Sequence, residues 1–137
     1  DGKYHGAVAQ SWEISADGRV YTFKIRPGLK FTDGEKLDAY AVKANFDALI
    51  DNKARHTWLE MMRLLEKVEA PDASTFVITM REPYYPMLTE LAVTRPFAFV
   101  SPKVMKDGKT KDGLQGFRRF GQWILKEHVV DEYAVLK

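Results

Sequence analysis

No cysteine occurs among the 137 residues, which excludes disulfides, thiolate metal sites and a cysteine nucleophile. It is compatible with an oxidising compartment without establishing one. Histidine is scarce: His5, His56 and His128 stand far apart, without the HxH, HxxxH or HExxH spacing of a metal site built on one element. They read as surface or capping residues. No apolar run approaches the roughly 18 residues that span a bilayer. Neither GxGxxG nor GxxxxGK[ST] is present, so the Gly-rich phosphate loops are absent. The 21 lysines and arginines are scattered among 19 acidic residues, whereas a nucleic-acid partner calls for a basic stripe. No Ser-His-Asp or lysine nucleophile arrangement can be argued from residue order. The carboxylate pairs Asp131-Glu132 and Glu66/Glu69 read as solvated turn and helix-face charges. Nothing supports an enzyme.

What is present is a patterned, ordinary globular chain, one domain over residues 1–137 with no internal repeat. Val20 to Ile25 alternate, with Tyr21, Phe23 and Ile25 on one face, and this predicts a half-buried strand. Ser11 to Ile14 form another, with Trp12 and Ile14 on one face, joined to the first through an Asp17-Gly18 turn. Pro27-Gly28 and Asp33-Gly34 turn the chain about a short strand at Leu29 and Phe31. Asp38 is a good N-cap, and Val42, Phe46 and Leu49 then fall on one stripe of a helix to residue 50.

A polar connection, residues 51–56, precedes a helix predicted to start near Thr57, with Trp58, Met61, Met62 and Leu65 on its apolar stripe. Val68 to Ala70 and Thr75 to Met80 flank Pro71-Asp72-Ala73-Ser74 as a hairpin. Tyr84 to Leu88 open a short helix, Ser101-Pro102 another helical turn, and residues 106–116 read as a loop. Two strands, Trp123–Lys126 and Tyr133–Leu136, close the sequence. The fold class is α+β, an antiparallel or mixed sheet with packed helices. The abrupt Asp1-Gly2 start and the strand-like final residues suggest a piece of a longer protein.

Three residues stand out chemically. Arg55 and Trp58 lie three apart, and a guanidinium beside an indole can grip a carboxylate bidentately while the ring stacks on the ligand. Arg95 sits between apolar stretches, Leu88–Val93 and Pro96–Val100, where a fixed charge needs an anionic partner or a cleft. The alternative is an internal salt bridge for Arg95 and a core or staple role for Trp58.

Ser11-Trp12, the Asp17-Gly18 turn and residues 21–46, YTFKIRPGLKFTDGEKLDAYAVKANF, are similar to the pattern of the large extracytoplasmic solute-binding proteins of ABC transporters, which include dipeptide, oligopeptide and nickel receptors. Residues 51–60, DNKARHTWLE, and 84–99, YYPMLTELAVTRPFAF, resemble the nickel-binding branch. Residues 118–123, RRFGQW, depart from the Gly-Thr-Gly-Pro turn usual in the family.

The resemblance covers almost the whole chain. It implies a partial receptor, most of the smaller subdomain of the first lobe of a two-lobe periplasmic-binding-protein fold, with hinge and second lobe absent. It further implies that Arg55 and Arg95 grip a small anionic chelator of nickel and that Trp58 lines the pocket. Tyr84 and Tyr85 are assigned to packing. This chain would supply no metal ligand and hold no intrinsic cofactor, nickel arriving as a chelate for import. The implied partners are that chelate, the second lobe and an ABC permease, with no nucleic acid and a monomeric chain, in the periplasm or at the outer face of a membrane. A peptide or another metallophore is the alternative ligand, and a scaffold without ligand the alternative role.

Overall fold

The computed structural model describes residues 3–93, 97–114, 125–129 and 133–136. Strands β1 (Ala9–Ile14), β2 (Val20–Ile25), β3 (Leu65–Asp72) and β4 (Thr75–Met80) form one sheet in the order β1-β2-β4-β3. All three pairings are antiparallel. The β1–β2 hairpin turns where the sequence predicts, with Gly18 at φ 70°. The alternation in β2 and β4 also holds. Tyr21, Phe23 and Ile25, with Phe76, Ile78 and Met80, are buried on one face, and the register sets Tyr21 opposite Ile78 and Phe23 opposite Phe76. A one-sided sheet of this kind must cover its apolar face.

Helix α1 (Ala39–Asp51) provides the cover, packing on β3 and β4. Its N-cap is Asp38, whose Oδ1 accepts from the Ala41 N–H at 3.0 Å. Val42 and Phe46 are buried, and Leu49 packs partly buried at the edge of the core. Phe46 is the centre of an aromatic cluster, with ring centroids 5.0 Å from Phe76, 5.8 Å from Phe97 and 6.5 Å from Phe99. Beside it, buried Asn45 reads the main chain of residue 100 in both senses. Its Nδ2 donates to the Val100 carbonyl and its Oδ1 accepts from the Val100 N–H, each at 2.9 Å.

A 3-10 turn (Lys53–His56) follows α1, then α2 (Glu60–Leu64), α3 (Met87–Leu91) and a second 3-10 turn (Pro102–Val104). Strands β5 (Met105–Lys106) and β6 (Lys109–Leu114) pair as a hairpin, as do β7 (Leu125–Val129) and β8 (Tyr133–Leu136).

Several expectations change. The helix predicted from Thr57 is only five residues long, because Leu59 is extended (φ −96°, ψ 113°) and Leu65 already starts β3. Trp58 therefore lies outside it. Glu66 and Glu69 sit on β3 rather than on a helix, beside Arg19 and Lys67 respectively. The helix expected at Tyr84 begins at Met87 behind Pro86. Residues 105–114 form a hairpin, not a loop: Asp107 (φ 54°) and Gly108 (φ 70°) are both left-handed, the conformation that matches a two-residue turn to strand twist. Leu29 and Phe31 flank a single bridge, Lys30 to Lys36, rather than a strand. Ile14 is exposed while Trp12 packs on the core.

Candidate ligand-binding corner

The C-terminal end of α1 places the candidate site. Asn52 closes the helix, the Arg55 N–H donates to the Asn52 carbonyl at 3.0 Å, and the Leu59 N–H donates to the His56 carbonyl at 3.0 Å. These bonds fold residues 52–59 into two tight turns with no buried residue in the first. Both predicted side chains point outward. Arg55 is exposed and has no ion-pair partner among the described residues. Trp58 is 60% exposed, so a core or staple role for it is ruled out. Arg95 lies outside the described residues.

His56 turns the other way. It lines a groove of about 590 Å³ whose rim carries Lys53, Arg63, Arg81 and Glu66. Burial, then the Arg55 charge, pushes its pKa down, which favours the neutral imidazole at neutral pH. No group of three or more metal-ligating side chains is present among the described residues. A second opening, about 570 Å³, runs into the core past Trp12, Phe23, Phe46, Phe76, Phe97 and Phe99. Arg55 and Trp58 line neither. The corner thus projects outward, away from both openings.

Tyr84 and Glu90 show roles that sequence reasoning missed. Tyr84 packs against the core as expected, but its hydroxyl also donates to Glu90 Oε1 at 2.8 Å. Tyr85, expected to pack, is 89% exposed. Partial burial, followed by the bonded Glu90 carboxylate, holds the Tyr84 phenol up at about 12. Because that exceeds the ordinary value near 10, the folded chain keeps the proton longer than the unfolded one. The resulting stability is complete below about pH 10 and is lost as pH rises through about 12. Tyrosinate absorbance is expected to show a late-titrating phenol that disappears in Tyr84→Phe. A titration unchanged by that substitution would refute the assignment.

The antiparallel sheet with its covering helices belongs to the α+β architecture of periplasmic binding proteins. More particularly, the chain belongs to the bacterial extracellular solute-binding proteins of family 5, whose "family 5 Middle" model matches residues 3–137. It is 40% identical over 135 residues to the nickel-binding periplasmic protein of Escherichia coli K12, which covers 98% of this chain and 26% of that protein. It is 37% identical over 92 residues to the glutathione-binding protein GsiB of Pectobacterium atrosepticum, covering 67% of this chain and 18% of that protein. Among solved structures, NikA from Brucella suis in complex with Fe(III)-EDTA matches with a TM-score of 0.92 and 43% identity, over 95% of this chain and 26% of that one. The chain therefore spans about a quarter of the length of the nickel-binding relative and of NikA. Among the described residues no helix is long and apolar enough to cross a membrane.

Proposed function

We propose that this chain is the smaller subdomain of the first lobe of a nickel-type receptor, which captures nickel as a complex with a small anionic chelator. Arg55, Trp58 and Arg95 form its side of the site. The intact receptor would close its second lobe over the chelate and deliver it to an ABC permease, on the outer side of the membrane. The observation that carries this reading is an exposed Arg55, without an ion-pair partner among the described residues, three positions before a 60% exposed Trp58. A guanidinium left open in this way suits a carboxylate, and an indole left in water suits a stacking ligand. The 43% identity to a NikA crystallised with Fe(III)-EDTA, a polycarboxylate complex, supports the same ligand chemistry.

The glutathione-binding relative favours a second reading, a small peptide in place of the chelate, since a peptide also presents carboxylates. Thermal shifts of the full-length receptor with each ligand separate the two. The subdomain role makes its own prediction. With one wall of the site only, the isolated chain is expected to bind nickel–histidine or nickel–polycarboxylate complexes weakly or not detectably by calorimetry. Tight binding by the isolated chain would overturn the two-lobe reading.

A further inference from the structure

The first turn of α2 lacks a cap of its own, because Leu59 stands at the N-cap and offers no side-chain acceptor. Its free amides need a partner from elsewhere. Glu90 provides one from α3: its Oε2 accepts from the Met61 N–H at 2.9 Å. The other carboxylate oxygen is held by the Tyr84 hydroxyl. The Tyr84 carbonyl in turn accepts from the Tyr21 hydroxyl at 3.0 Å, and Tyr21 is buried in β2. A relay therefore runs from the sheet through Tyr84 and Glu90 to the start of α2. The candidate ligand groups attach at its end. Arg55 and Trp58 precede Met61 by six and three positions, tied to it through the Leu59–His56 turn.

We propose that Glu90 is a positioning residue for the ligand site. By capping α2 from α3 it fixes the Arg55–Trp58 corner to α3 and, through Tyr84, to the sheet. It thereby sets the direction from which the Arg55 guanidinium meets the carboxylates of an anionic chelate. The inference rests on the chelate-binding reading above. A preorganised site avoids the cost of ordering its parts at binding, which for each long side chain held in place is worth about a two- to tenfold change in affinity. Glu90 has the geometry for such a role without touching ligand. Each of its oxygens is already committed, one to each side of the joint.

The test is calorimetry of the full-length receptor with Fe(III)-EDTA and with nickel–histidine, on Glu90→Ala, Glu90→Gln, Arg55→Ala and the Glu90→Ala/Arg55→Ala pair. Glu90→Ala is expected to weaken binding about two- to tenfold. Glu90→Gln keeps an acceptor for the Met61 N–H and restores most of that loss. The double variant is expected to lose less than the product of the two single losses, because an absent arginine cannot be misplaced. Affinity unchanged in Glu90→Ala, or losses that multiply, overturns the positioning role. Loss in Arg55→Ala without loss in Glu90→Ala overturns that role alone, whereas no loss in Arg55→Ala overturns the chelate reading and the positioning role with it. Should Glu90→Ala fail to fold, Tyr84→Phe frees one carboxylate oxygen and carries the test. A loss that Arg55→Ala masks supports the role, and unchanged affinity refutes it.

Discussion

Arg55→Ala in a full-length receptor carrying this chain is expected to weaken nickel-chelate binding by at least about tenfold, or about 1.4 kcal/mol. The side chain is exposed and held on a short hydrogen-bonded turn, so its removal breaks no ion pair among the described residues. The loss then reports the ligand alone. A charge-assisted hydrogen bond contributes roughly 1.5–3 kcal/mol once desolvated, and lobe closure over the chelate would supply that desolvation. Arg55→Lys is expected to restore little, because an ammonium cannot reproduce the planar two-donor fork. Arg95→Ala is expected to cost at least as much as Arg55→Ala. Unchanged affinity in either alanine variant, measured by calorimetry, would remove that arginine from the site.

The largest expected effect on stability is that of Phe46→Ala. Its ring touches the rings of Phe76, Phe97 and Phe99 and is almost wholly buried between α1 and the sheet. Truncation forfeits the transfer energy of the ring and leaves a cavity among side chains fixed by a strand and a helix. Such substitutions cost about 3–5 kcal/mol. A domain's whole stability is of order 5–15 kcal/mol, so the variant should unfold at a much lower urea midpoint or fail to accumulate. Tyr85→Ala is the internal control, since a side chain 89% exposed should change stability by no more than about 0.5 kcal/mol. Equal midpoints for wild type and Phe46→Ala would show that the aromatic cluster does not hold α1 to the sheet.

The strand at Val20, the helix capped by Asp38 and the hairpin into Thr75 were all legible because each is encoded locally. The strands alternate with a period of two, and a short acidic side chain marks the helix start. The hairpin at 105–114 was hidden by its lysines and glycines, although Asp107-Gly108 is itself a two-residue turn signal. Trp58 fitted a helical stripe by spacing, yet the extended Leu59 separates it from that helix. The element that fixes the start of α2, the Glu90 carboxylate, lies 29 residues away and leaves no periodic trace. Arg55 and Trp58 stand out by residue type alone, and the structure shows both exposed.

The Asn45 amide stands where a neighbouring strand would stand, giving one donor and accepting one hydrogen from the backbone of residue 100. In the language of sequence variation, the two positions are therefore unequal. Residue 100 is addressed through atoms that every non-proline amino acid possesses, so several hydrophobic side chains can occupy it without disturbing the joint. Position 45 has no such latitude. Aspartate lacks the donor, leucine lacks both groups, and either leaves a main-chain group of Val100 buried and unsatisfied. Among descendants of this chain, drift should be visible at 100 and nearly absent at 45.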